Sequence, residues 1–302
     1  MCHLTALHEV RKDLEFHLNC YLCRSAVQSI RKGKVRDMPD LTVLECIDCG
    51  LVTLSSHQHI EKGFYENSGM HGAEIASMEN WLKGTDWDDQ RRFEMLRAML
   101  PNKKLLDFGC GAAGFLNKAQ HLAEFVAGIE LELRVQKHWH GEIVIHPNME
   151  SAGVGYDLIT AFHVVEHQSD PVAILKTLAA KLSKNGRMVI EVPNSEDALL
   201  TLYDSTAFQH FTYWSQHLFL FNAETLRQLA KQAGLRIVSI QQYQRYPLSN
   251  HLYWLSQGEP GGHQKWAFLD SLELKAAYSN ALASVAKCDT LIVHFELGAD
   301  EA

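Results

Sequence analysis

An apolar run, three glycines and a helical pattern follow one another without a break in Leu105-Leu106-Asp107-Phe108-Gly109-Cys110-Gly111-Ala112-Ala113-Gly114. A strand that turns through glycines straight into a helix is the first half of a βαβ unit, which commits the strand to a parallel sheet covered by helices. The chain from about residue 80 onward repeats the theme. Short β-like runs at 104–107, 125–130, 143–146, 157–162, 187–192, 235–241 and 290–296 alternate with helical patterns at 88–100, 114–121, 171–182, 223–233 and 271–286. An α/β architecture is expected: a seven-stranded sheet with helices on both faces. With 302 residues, 46% of them apolar, the chain can bury a core of that size.

Residues 1–60 differ in character. Cys20-Tyr21-Leu22-Cys23 and Cys46-Ile47-Asp48-Cys49-Gly50 flank a polar stretch that contains Gly33 and Pro39. So short a segment buries too little apolar surface to fold unaided. Four thiolates from two C-x-x-C knuckles can close a tetrahedral site, so a structural Zn2+ on Cys20, Cys23, Cys46 and Cys49 is expected in a small zinc-ribbon-like module. Gly50 can turn backbone amides toward the sulfurs, whereas Arg24 stands at the equivalent place after the first knuckle. The spacer between the knuckles is somewhat longer than a usual ribbon, four reduced buried cysteines are the metal-free alternative, and His17 or His3 could replace a ligand. Seven cysteines, four of them in two close pairs, favour metal binding in a reducing compartment over disulfides. Cys2 and Cys288 read as ordinary thiols, as does Cys110 apart from its place in the glycine loop. Residues 61–302 form the second expected domain, with 193–222 and 243–287 as cap or lid insertions.

Met1 to Glu15 mixes charges with single apolar residues, so no signal-peptide core is expected, and no later stretch approaches the roughly 20 apolar residues of a spanning helix. A cytoplasmic enzyme without a membrane partner is the expectation. The net charge of −8 argues against a nucleic-acid partner. The one compact basic stretch is Arg31, Lys32, Lys34 and Arg36.

The glycine loop satisfies G-x-G-x-x-G, which suits a dinucleotide as well as other adenosine-bearing cofactors. Asp107 separates them. A carboxylate two residues before Gly109 would face a pyrophosphate at short range, an unfavourable pairing of like charges. S-adenosylmethionine (SAM) has no phosphate and carries a sulfonium and an ammonium, for which the carboxylate is favourable. Here the sequence resembles the class I SAM-dependent methyltransferases, with their Rossmann-like sheet. The resemblance covers roughly residues 88–296 and rests on the loop 107–114, the acid Glu130, Tyr156-Asp157-Leu158-Ile159-Thr160-Ala161-Phe162-His163-Val164-Val165-Glu166-His167, and Asn185 to Asn194. It implies that Asp107, Gly109, Cys110 and Gly111 approach the methionine part of SAM, that Glu130, followed by Leu131, takes the ribose hydroxyls, that Asn148 or Met149 borders the adenine, and that Phe162 and His163 line the opposite side.

Methyl transfer requires an aligned acceptor and, for a hydroxyl or an activated carbon, a base. Candidates lie beyond the carboxyl ends of the strands, where open α/β sheets bind ligands. His163, Glu166 and His167 follow the fourth strand, with His167 a candidate base. After the fifth comes Phe208 to Phe221, dense in aromatics and expected to wall a pocket, with His217 the leading candidate for base or substrate ligand. This stretch resembles a segment of sugar C-methyltransferases that also carry an N-terminal zinc module, and Tyr65 and His71 resemble their substrate segment. Gln216 and Trp214 depart from that pattern, which puts proton abstraction from carbon in doubt. His263, flanked by glycines, could reach a ligand. The expected activity is methylation of a polar small molecule, with a nucleotide-activated sugar or glycan precursor preferred. An RNA methyltransferase with a zinc docking module and a non-catalytic SAM-binding protein are the alternatives, and a homodimer is possible.

Overall fold

The computed structural model describes residues 19–60, 64 and 76–298. Tyr65, His71, His17, His3 and Cys2 lie outside the described residues. Seven strands form the main sheet: β4 (Lys104–Phe108), β5 (Phe125–Ile129), β6 (Val144–His146), β7 (Tyr156–Phe162), β8 (Leu182–Pro193), β10 (Leu235–Tyr243) and β11 (Thr290–Leu297). Their order is β10-β11-β8-β7-β4-β5-β6. The five strands from β6 to β8 are parallel, and β11 runs antiparallel to both of its neighbours. The expected seven-stranded Rossmann-like sheet is therefore present.

Side-chain alternation divides the core. Leu105, Leu158, Val189 and Ile292 point to one face, while Leu106, Ile159, Ile190 and Val293 point to the other. Helix Met78–Leu96 and helix Gly114–Ala119 cover the first face, and helices Pro171–Ala179 and Ala223–Ala233 cover the second. Two expectations shift. Helix Met78–Leu96 begins ten residues before the expected 88, because Ser77 caps it by accepting from the Asn80 amide, although its first turns are too polar to announce a helix. Strand β8 extends back to Leu182, beyond the expected 187.

The cysteine-bearing segment folds as β1 (Gln28–Ile30), β2 (Val43–Cys46) and β3 (Val52–Leu54), joined by a fourth strand from far along the chain, β9 (Phe219–Leu220). Its pairs are Val52↔Leu220 and Thr53↔Phe219. Cys20, Leu22, Val43 and Val52 belong to the same buried cluster as Phe219, Leu226 and Ile190, so module and sheet share one core. Ser215 donates its amide and its hydroxyl to the Asp37 carboxylate, and Tyr21 donates its hydroxyl to Asp170.

All four cysteine sulfurs lie within 4.8 Å of one another. In each knuckle the residue after the second cysteine returns its amide to the carbonyl of the first, Arg24 to Cys20 at 3.0 Å and Gly50 to Cys46 at 2.8 Å. Both need positive φ, +64° at Arg24 and +74° at Gly50. A Cβ at Gly50 would stand 2.8 Å from Asn222 Nδ2. Gly50→Ala is therefore expected to destabilise the chain by about 1–2 kcal/mol from the left-handed backbone alone, read as a lower urea midpoint. Arg24→Gly, in the same geometry without the collision, should be neutral or stabilising. A Gly50→Ala protein that unfolds with the wild type would contradict this reading of the knuckle.

Candidate active site

Strand β4 ends at the glycine loop, where Gly109 adopts φ +68° and a Cβ would stand 2.5 Å from Val164 Cγ2. The loop thus packs directly against the segment that follows β7. Asp107 is buried, accepts a 2.7 Å hydrogen bond from Thr160 Oγ1, and has its carboxyl pushed up to about 7 by burial. Glu130, just beyond β5, turns back onto the loop and accepts from the Gly111 amide at 2.9 Å and the Glu132 amide at 3.2 Å. Burial raises its carboxyl above the ordinary value. Cys110 Sγ occupies the space beside Gly128, and Leu131 is half-buried next to Glu130. Asp107, Gly109, Cys110, Gly111, Glu130 and Leu131 therefore form one group at the carboxyl ends of β4 and β5.

Asn148 and Met149 are placed differently. Asn148 is exposed, and its Oδ1 accepts from the Ser151 amide at 2.9 Å, closing its own turn. Met149 packs against the buried core. Phe162 meets Phe115 edge to face at 5.3 Å and lies under the Arg92 guanidinium at 4.6 Å.

Sequence reasoning expected helix Met78–Leu96 only from residue 88, so it missed Trp81, and it assigned no role to Arg91 and Arg92. Trp81 Cζ2 lies 3.4 Å from where a Cβ on Gly111 would sit, with the Arg134 guanidinium 4.6 Å over its ring. Arg91 Nη2 donates to both oxygens of Glu191 at 2.7 and 2.9 Å, and Arg92 Nη2 donates to Oε1 at 2.9 Å. His163 Nε2 lies 3.1 Å from the same oxygen. Glu191 is fully buried. Burial alone would raise its pKa, but Arg92, His163 and Arg91 outweigh burial and hold it well below the ordinary value.

A cavity of about 430 Å³ opens beyond the carboxyl ends of β7 and β8. Residues 193–222 and 243–287 both leave the sheet at this edge, because β10 is parallel to β8, and both line the cavity. Phe208, Phe211, Trp214 and Trp254 supply aromatic wall, and His263 and Arg245 also face it. Arg36 reaches the cavity from the cysteine module, its guanidinium 4.6 Å over Trp214 and 5.3 Å over Phe211.

Glu166, His167 and His217 line the cavity together, and His163 stands at the border with the glycine loop. His163 adopts φ +55° and places Nδ1 3.1 Å from Glu166 Oε1. Burial opposes its charged form, but Glu166 and Glu191 outweigh burial and raise its pKa. His167 Nδ1 donates to the Gln216 carbonyl at 2.7 Å, and His217 Nδ1 donates to the Thr212 carbonyl at 3.0 Å. A carbonyl can only accept, so both rings carry their proton on Nδ1 and a lone pair on Nε2. Burial lowers both pKa values, that of His217 to about 4, so both rings are neutral at pH 7.

A family model described as a methyltransferase domain matches residues 86–240. The chain belongs to that methyltransferase family. At 28% identity over 139 residues, which is 38% of this chain and 49% of the relative, it is similar to a tRNA U34 carboxymethyltransferase of Campylobacter hominis. It is also 29% identical, over 35% of its length and 49% of the relative's, to a ubiquinone biosynthesis O-methyltransferase of Xanthomonas campestris pv. campestris. The chain spans about half the length of these curated relatives. Among solved structures it resembles a chain of the complex between the Haloferax volcanii Trm112 methyltransferase activator and a methyltransferase. That likeness has a TM-score of 0.50 at 11% identity, covers 75% of this chain and 100% of that one, and concerns the fold.

In this methyltransferase-family chain, Glu191 is the common partner of Arg91, Arg92 and His163. Glu191→Ala takes the carboxylate partner from buried Arg92, while Arg91 keeps Asp88 and His163 keeps Glu166, and a loss of about 3 kcal/mol in urea unfolding is expected. Unchanged stability would mean that the arginines find other partners.

Proposed function

We propose that this chain is a SAM-dependent methyltransferase that acts on a small-molecule acceptor bound in the 430 Å³ cavity. The observation that carries the reading is the adjacency of two sites, the Asp107–Glu130 group and the histidine-lined cavity, which meet where Gly109 packs on Val164 and His163 borders the cavity. Asp107 and Glu130 supply the carboxylates that suit the cofactor's ammonium and ribose, with the backbone of Gly109 to Gly111 between them and Phe162 and His163 opposite. Trp81, lying on Gly111, adds a wall to the same site. Asn148 and Met149 remain the adenine-side residues of this proposal, with backbone contact favoured for Asn148 because its amide already closes a turn. His217, with His167 beside it, is the candidate base for an acceptor's proton. A second proposal concerns the cysteine module. Four sulfurs gathered by two matching knuckles are the donor set of a structural Zn2+, and residues 19–60 brace the cavity wall through β9.

Aromatic walls suit a ring-bearing acceptor and Arg36 can receive an anionic group on it, whereas Arg245 is paired with Asp88, and this description includes a nucleotide-activated sugar. RNA is disfavoured by what the basic stretch does. Arg31 donates to the Ser195 carbonyl at 2.5 Å and pairs with Glu45 at 3.5 Å, Lys32 pairs with Asp204, and Arg36 is folded into the cavity wall. Among the described residues no helix is long and apolar enough to cross a membrane.

Calorimetry should find that the chain binds SAM and its demethylated product and does not bind NAD. Binding needs Asp107 ionised, and its carboxyl sits near 7 without ligand, so SAM affinity should rise with pH below about 7, by up to tenfold per unit, and level off above. A proton should be released on binding on the acid side only. Glu130→Ala should weaken SAM binding by roughly 1.5–3 kcal/mol per charge-assisted bond lost. Incubation of extract with methyl-labelled SAM, followed by mass spectrometry, should yield a labelled small molecule; label recovered only in RNA would overturn the acceptor assignment.

A further inference from the structure

Glu166, His167 and His217 each bring one ligating atom within 4.8 Å of the others, at the inner wall of the cavity and on two segments about fifty residues apart in sequence. We propose that these three side chains form a second metal site, distinct from the cysteine cluster, for a divalent transition-metal ion open to the cavity. Two imidazoles and one carboxylate are the donor set that such ions take when positions are left for substrate, whereas Mg2+ and Ca2+ favour all-oxygen shells.

Three features of the surroundings fit a metal better than a bare histidine pair. Each imidazole is oriented by an Nδ1–H bond to a backbone carbonyl, Gln216 for His167 and Thr212 for His217, which aims the Nε2 lone pair as metal-binding histidines require. His163 holds one oxygen of Glu166 at 3.1 Å, as a partner outside the coordination shell would. The other oxygen, Glu166 Oε2, is buried and has no hydrogen-bond partner among the described residues, in a side chain with no solvent exposure. A buried carboxylate oxygen left in that state is costly, and a cation accounts for it.

Placed there, the ion would take an acceptor's oxygen directly and lower its proton affinity. His167 and His217 are then ligands, and their Nε2 atoms are not available as bases. This consequence rests on the proposed acceptor cavity, but the metal site itself does not.

The test uses the full chain, stripped of metal and titrated with Co2+ while the optical spectrum is followed. Two Co2+ per chain are expected, one with intense thiolate charge-transfer bands from the cysteines and one without them. The band-free uptake should persist when the cysteine site is first filled with one equivalent of Zn2+, and weaken by roughly tenfold or more in Glu166→Gln and in His217→Gln. SAM affinity, measured on the same variants, should hold and so report an intact fold. If all bound Co2+ carries thiolate bands, or if Glu166→Gln and His217→Gln, still binding SAM, take up band-free Co2+ as the wild type does, the site is refuted. Failure of the methyltransferase reading looks different: SAM binding would be absent while the band-free Co2+ site remained.

Discussion

The pairing of β3 with β9 is the contact on which the cavity depends. Two residues, Phe219 and Leu220, enter the sheet of the cysteine module, and the chain just before them supplies Trp214, the carbonyl that orients His167, and His217 itself. A two-residue strand has little stability of its own. It persists because Phe219 and Phe221 are buried in the core that the module shares with the main sheet, and because Asp37 ties down Ser215. The cysteine cluster, remote from the glycine loop in sequence, thereby governs the geometry of the histidine wall.

A second constraint acts from the other face. Helix Met78–Leu96 is polar through much of its length, and besides the apolar stripe of Met78, Trp81, Leu82, Phe93 and Leu96 that it lays on the core, charged pairs fix its position. Its arginines reach Glu191 on β8, and Arg245 joins Asp88 at 2.5 Å from the insertion after β10. Those pairs hold Trp81 against the glycine loop and place His163 between two carboxylates. Breaking a buried network of this kind costs more than its formation contributes, because each remaining charge loses its compensation. The positive φ of His163 belongs to the same picture, since strain of that sort persists only where surrounding contacts over-determine a residue.

The two sites are matched in protonation as well as position. On the glycine-loop side, burial raises the carboxyls of Asp107 and Glu130, so an arriving cation stabilises the ionised forms that burial disfavours. On the cavity side, burial keeps His167 and His217 neutral, with lone pairs directed by backbone carbonyls. Neutral nitrogen donors beside a buried carboxylate can serve proton transfer or ligation, and the choice between them rests on whether an ion is present.

The strands of the sheet were legible in the sequence, because they announce themselves by apolar runs, and the first βα turn, after β4, by its glycines. Asp107, Gly109 and Gly111 could be read for the same reason: they act within ten residues of one another, and the chemistry of a carboxylate beside glycines is local. The two C-x-x-C knuckles were equally plain, and the unusual Arg24 proved to share the backbone of Gly50. The polar first half of helix Met78–Leu96 carried no such periodicity, so Trp81 went unseen, and the arginine network did too because Arg91 and Arg92 meet Glu191 about a hundred residues away. Nor could spacing reveal that Phe219 would join a sheet begun at Gln28, or that His217 would stand beside Glu166 and His167, since these contacts join segments 50 to 190 residues apart. Thus the sequence by itself determined the α/β class, the glycine loop with its acids and the cysteine tetrad, all of them patterns written over a few turns of chain. Only the tertiary structure decided which histidines share a cavity, which nitrogen each presents and what holds them there, because burial and long-range pairing exist only once the chain has folded.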